Sequence, residues 1–195
     1  MKTTWTLMPY NFIGRGQKVE PQIFEQAPQP VREGIKFLGV TGNGIPVYDR
    51  FQSHFQDHGF SAEVLQEALA QIYQTASFEK HVVNMGRVVG CTTCVRVGAE
   101  DRVVMAVRKR RQGPTPMVMG RQPELCSSVV IILKKVRDEM GEYFILITAF
   151  VGEGSEPEPW DRQLVPGSPE HARAVRFWQT HALIYDEEVI DYILD

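Results

Sequence analysis

The sequence has little that would suit it to a membrane or an oxidising compartment. No apolar run approaches the ~20 residues that span a bilayer, and Met1–Tyr10 carries one lysine and no apolar core of the kind an export signal needs. Cysteine is scarce: Cys91, Cys94 and Cys126 cannot all pair with one another, which points to reduced thiols. Internal repeats and low-complexity tracts are missing. So is a phosphate loop, because Gly42-Asn43-Gly44 is not followed by the lysine such a loop requires. These absences set the expectation of a soluble cytoplasmic protein with no membrane association, and they leave the oligomeric state open.

What is present suits one globular domain. The chain has 195 residues, 43% hydrophobic and 23% charged, enough for a full core. Its formal net charge of -3 hides a strong asymmetry. Between Lys80 and Arg137 there are 12 Lys or Arg against three acids, Glu100, Asp101 and Glu124, whereas the remainder holds 9 basic and 21 acidic residues. An anion-binding face would produce this pattern, with polynucleotide first among the candidates. A basic sheet neutralised by acidic loops of the same molecule would produce it equally well.

Glycine and the recurrent prolines 9, 21, 28 and 30 make residues 1–34 read as an irregular N-terminal arm. Ile35–Val40 and Ile45–Tyr48 read as a hairpin about the Gly42–Gly44 turn. Ser61 is placed to cap a helix whose Val64, Leu65, Ala68, Leu69, Ile72 and Tyr73 form an apolar stripe. Four strand-like runs follow at Val88–Val97, Arg102–Arg110, Ser128–Val136 and Glu142–Phe150. Val129–Leu133 and Phe144–Phe150 are apolar on both faces, which marks central strands. Arg111–Cys126 reads as a long loop, Gly152–Pro169 as a Pro/Gly/Glu loop, and Ser168-Pro169 as the start of a second helix carrying Val175, Phe177 and Trp178. The tail from Tyr185 is acidic and amphipathic. The expected fold class is α+β: a single domain over residues 1–195, with an antiparallel sheet of four or more strands packed with two main helices.

Among groups that can do chemistry, His81 has the most suggestive context. It follows a helix, precedes the basic sheet and lies close in sequence to Lys80 and Arg87. A neutral imidazole there can take a proton from a ribose 2′-hydroxyl or return one to a leaving 5′-oxygen near pH 7. His54 and His58 could share a helical face without a metalloprotease framework, and His171 and His181 flank an apolar helix where packing or a helix C-terminus accounts for them. In the second strand Arg102, Val104, Ala106, Arg108 and Arg110 fall on one face; Val103, Met105, Val107, Lys109 and Arg111 fall on the other. Guanidinium groups grip phosphate oxygens bidentately, so Arg87, Arg96, Lys109, Arg110, Arg111 and Arg121 are the candidate nucleic-acid contacts. Thr148 offers a hydroxyl on an otherwise apolar strand face. Cys91-Thr92-Thr93-Cys94 has metal-knuckle spacing, but residues three apart on a strand face opposite ways; only a break there would let Cys126 and His81 join a set. No metal and no cofactor is therefore expected. The loop acids Glu153, Glu156, Glu158 and Asp161, beside Trp160, read as either a metal site or a counter-surface to the basic sheet, without the spacing of a calcium loop.

The order of helix, histidine, basic antiparallel sheet and a strand reading Phe144-Ile145-Leu146-Ile147-Thr148-Ala149-Phe150 resembles the superfamily of barnase, the EndoU and colicin E5/D nucleases and the RelE-type toxins. The likeness covers roughly residues 60–150. It implies metal-independent RNA cleavage through a 2′,3′-cyclic phosphate, in the manner of a toxin-like bacterial ribonuclease with an acidic inhibitor protein as partner. It also implies His81 as general acid/base, Arg108 as phosphate binder and Thr148 as hydroxyl ligand. Val151 stands where that superfamily usually has proline, and no second histidine or glutamate falls obviously on the sheet. Glu156–Asp161 and Phe177–Leu183 are also similar to segments of a family of uncharacterised bacterial proteins. Two alternatives stand beside the endoribonuclease. One is a non-enzymatic module whose basic face binds nucleic acid or an acidic partner. The other is a chain whose acidic and basic parts neutralise each other.

Overall fold

The computed structural model describes residues 5–7, 23–25, 34–49 and 61–194. The expected arm over residues 1–34 and the pair His54/His58 fall largely outside these. Within the arm, β1 (Trp5–Leu7) and β2 (Ile23–Glu25) pair antiparallel as a separate two-stranded ladder. The chain divides into two compact units, residues 1–83 with 131–150, and residues 84–130 with 151–195.

In the first unit, β3 (Lys36–Val40) and β4 (Pro46–Asp49) form the expected hairpin. The Thr41 hydroxyl donates to Asn43 Oδ1 at 2.7 Å, and the Thr41 amide donates to the Ile45 carbonyl at 3.0 Å, which closes the turn. Helix α1 (Ala62–Leu69) starts at Ser61, whose Oγ accepts from the Val64 amide at 3.4 Å. Such a cap is worth about 1 kcal/mol. The helix lies against β3 at Gly39, where a Cβ would sit 3.3 Å from Leu69 Cδ1. Leu65, Ala68, Leu69 and Ile72 are buried, as the stripe requires, at roughly 1.5–3 kcal/mol per large side chain. Tyr73 departs from the expected stripe: it is 71% exposed. The helix stops first, because the Gln71 and Ile72 amides turn back to Ala68 and Leu69 in a tighter turn, while the Gly42 amide takes the Ile72 carbonyl at 2.8 Å.

The sheet of this unit runs β3-β4-β12-β11-β5, with β5 (Phe78–Asn84), β11 (Ser128–Asp138) and β12 (Gly141–Val151). The doubly apolar strands β11 and β12 do lie inside it. Val129, Val130, Ile131, Leu133, Phe144 and Leu146 are wholly buried. The sheet is not purely antiparallel as expected, since β12 pairs parallel with β4 through Phe144↔Val47 and Ile145↔Tyr48. Strands this far apart in sequence need no hairpin between them, so nothing forces them antiparallel.

In the second unit, a five-stranded mixed sheet runs β14-β8-β9-β13-β7, with β7 (Cys94–Arg96), β8 (Val103–Arg108), β9 (Pro114–Val118), β13 (His181–Ile184) and β14 (Ile190–Ile193). Here β13 pairs parallel with β9. The expected Val88–Val97 strand is broken at Thr93: β6 (Gly90–Thr92) pairs with β10 (Glu124–Cys126), and β7 joins the larger sheet. Half of the expected 111–126 loop is strand, in β9 and β10, because Pro114 and Pro116 sit in β9 without ending it. Helix α2 (Pro169–Trp178) is capped by Ser168 Oγ, which accepts from the His171 amide at 3.1 Å. Two tryptophans fix the loop before it. Trp178 Nε1 donates to the Glu156 and Pro157 carbonyls at 3.1 and 3.0 Å, and Trp160 Nε1 donates to the Pro114 carbonyl at 2.8 Å.

The Trp160 ring lies so close to Gly113 that a Cβ there would meet ring atoms at 2.3–2.6 Å. Gly113→Ala should therefore cost about 1–3 kcal/mol by overpacking. The check is a lowered urea midpoint at unchanged slope; an unaltered midpoint would show that the ring moves freely.

Candidate active site

His81 lies in β5, at the edge of the first unit's sheet, with its side chain 16% exposed. Its Nε2 is 2.9 Å from Oε1 of Gln74, a side chain that is 1% exposed just past α1. The Gln74 Nε2 donates to the Ala76 carbonyl at 2.8 Å and reaches the Leu133 carbonyl of β11 at 3.5 Å. The Glu79 carboxylate stands 4.0 Å from the same ring nitrogen, on the solvent side. Burial lowers the His81 pKa below the ordinary imidazole value, against the opposing pull of Glu79. The lowered pKa favours the neutral ring, the state a base requires.

Thr148 is half-buried on β12, and β11 separates it from β5. Two strand spacings, roughly 10 Å in all, are the least that separates the His81 and Thr148 backbones. They share a sheet without being neighbours on it.

Arg108 and all six candidate nucleic-acid contacts belong to the second unit. Arg108, at the end of β8, is ion-paired with Glu158, which Thr115 Oγ1 also approaches at 3.4 Å. Burial disfavours the Arg108 charge and Arg111 adds to that effect, while Glu158 opposes both. Its buried Nε has no hydrogen-bond partner among the described residues. Arg121 donates to Asp101 at 2.9 Å and to the Arg96 carbonyl at 2.8 Å, and it also pairs with Glu124. The Gly98 amide, followed by Arg121, holds the Asp101 carboxyl below its usual range. Lys109 Nζ donates to the Glu188 carbonyl at 2.7 Å. The expected alternation stops at Arg108, since Arg110 takes a left-handed conformation with φ +62° and the cations after β8 belong to a turn. Arg87, Arg96, Arg110 and Arg111 are exposed. Part of the basic face is therefore held by the molecule's own acids: Glu158 is the internal counter-charge proposed for the acidic loop, and the tail enters as β14, paired with β8.

Although the strand breaks between Cys91 and Cys94, no group of three His, Cys, Asp or Glu placed to hold a metal occurs among the described residues. Burial, reinforced by Glu158, pushes the Cys94 thiol up to about 11, which keeps it protonated and a poor nucleophile. His181 stacks on Phe177 at 4.0 Å between ring centroids, with Nδ1 3.0 Å from the Phe177 carbonyl near the end of α2. Packing and the helix C-terminus thus account for it. The sequence does not single out Gln74. Nothing in sequence distinguishes a glutamine that ends a stripe from one exposed on a loop.

No family model and no curated protein matches the chain. Among solved structures it is similar to a conserved hypothetical protein from Toxoplasma gondii ME49, with 13% identity over 67% of this chain and 89% of that one and a TM-score of 0.44. No helix among the described residues is long and apolar enough to cross a membrane.

Two outcomes follow from these contacts. The depressed His81 pKa means that the unfolded chain, titrating near 6.5, binds a proton that the folded chain resists. Stability is present above that pH and lost as pH falls through the folded value. Urea unfolding of wild type between pH 7.5 and 5 should show this loss, and His81→Asn should show less of it; parallel curves would contradict the assignment. Glu158→Gln leaves the half-buried Arg108 charge uncompensated and should cost about 2 kcal/mol, below the 3–5 typical of fully buried pairs. Thermal unfolding reads the difference.

Proposed function

We infer that this chain cleaves RNA without a metal ion, with His81 as the proton carrier. The observation that carries this reading is a partly exposed imidazole hydrogen-bonded by a buried glutamine, an arrangement suited to a general base. In the reaction the 2′-hydroxyl loses its proton to the imidazole and its oxygen forms a bond to phosphorus. The P–O5′ bond breaks with its electron pair, and the 5′-oxygen takes a proton from solvent. The products are a 2′,3′-cyclic phosphate and a 5′-hydroxyl end. Thr148 is the hydroxyl ligand in this reading. Arg108, the phosphate binder that the resemblance implies, belongs to the second unit, where Glu158 already holds it.

A second reading is a non-enzymatic anion-binding module, favoured by the exposure of Arg96, Arg110 and Arg111 on β7 and the turn after β8. It takes nucleic acid or an acidic protein as partner.

Incubation of end-labelled RNA with purified protein in EDTA separates the two. The first reading predicts cyclic-phosphate ends, with His81→Ala slowing cleavage by roughly 100-fold or more. Equal cleavage by both proteins, or none by either, overturns it. Binding without cleavage that weakens steeply with salt selects the second reading.

A further inference from the structure

We propose that Gln74 is the positioning residue of this site, fixing the histidine tautomer so that Nδ1, rather than Nε2, is the basic atom of His81. The proposal rests on the ribonuclease reading for the reaction it serves, but its geometry stands independently. The orientation of the Gln74 carboxamide is set by its neighbours. Its nitrogen faces two carbonyl oxygens, Ala76 at 2.8 Å and Leu133 at 3.5 Å, and neither can donate. Its Oε1 is therefore the end that faces His81, and an amide oxygen only accepts. The His81 Nε2, 2.9 Å away, must carry the hydrogen.

In a neutral ring that leaves the lone pair on Nδ1. When Nδ1 takes the 2′-hydroxyl proton, the charge that forms is shared by Nε2–H, which already faces Oε1 and lies 4.0 Å from the Glu79 carboxylate. The buried amide holds the ring and the exposed carboxylate favours its charged state. The division resembles that of any base oriented by a third group. The rest of the Gln74 residue is also restrained, because its own carbonyl accepts from Asn43 Nδ2 at 3.0 Å. The lock thus joins the β3–β4 turn, the segment after α1, β5 and β11.

The test is a long-range proton–nitrogen correlation spectrum of nitrogen-labelled wild type across pH, followed by the same spectrum and the RNA-cleavage rate of Gln74→Leu. Wild type should show the Nε2–H tautomer and a pKa below 6.5. In the variant the tautomers should mix, the acidic limb of the rate profile should move, and kcat should fall roughly 10- to 100-fold with KM little changed. A wild-type Nδ1–H tautomer would overturn the proposal without any variant, so misfolding of Gln74→Leu cannot shield it. A folded variant with unchanged tautomer and unchanged acidic limb would overturn it too. Because the spectrum needs no substrate, an inactive wild type with the Nε2–H tautomer would refute the ribonuclease reading while supporting the lock.

Discussion

One buried carboxamide ties together much of the first unit. Gln74 sits where α1 has ended but the chain has not yet reached β5, and its backbone polar groups would be costly to bury unsatisfied. Asn43 takes its carbonyl, and its side chain spans from the Ala76 and Leu133 carbonyls to the His81 ring. A leucine of similar size would fill the space but remove these amide bonds, at about 1 kcal/mol for each. The same bonds that close the helix–strand junction hold the imidazole, so folding and the proposed chemistry share one set of contacts.

The electrostatics of the second unit are more self-contained than the basic run suggests. Glu158 is delivered to Arg108 by a loop fixed at both ends, by Trp160 on Pro114 and by Trp178 on Glu156 and Pro157. Arg121 is held by Asp101 and Glu124. These cations brace the fold first. The exposed guanidiniums of Arg96, Arg110 and Arg111 lie on β7 and on the turn after β8, where an external anion meets less competition than at Arg108.

Periodicity and capping exposed the elements whose signals are local: the β3–β4 hairpin, the Ser61 and Ser168 caps, and the paired central strands β11 and β12. Elements decided by distant partners were hidden. Pro114 and Pro116 argue against a strand, yet β9 forms because β8 and β13 flank it. Val88–Val97 looked continuous because nothing local marks Thr93 as the point where the chain changes sheets. Parallel pairing of β4 with β12 leaves no trace in alternation. The context of His81 is visible in sequence, whereas its contact with Gln74 arises only when tertiary structure buries that glutamine. Arg108 looked available because its counter-ion is 50 positions away.

The contact between the imidazole and the buried amide can be weighed by a double-mutant cycle on urea unfolding, with His81→Ala, Gln74→Ala and the pair. A coupled pair predicts an interaction energy of about 1 kcal/mol. Losses that simply add, to within about 0.3 kcal/mol, would contradict the account by showing that the two side chains are near each other without holding each other.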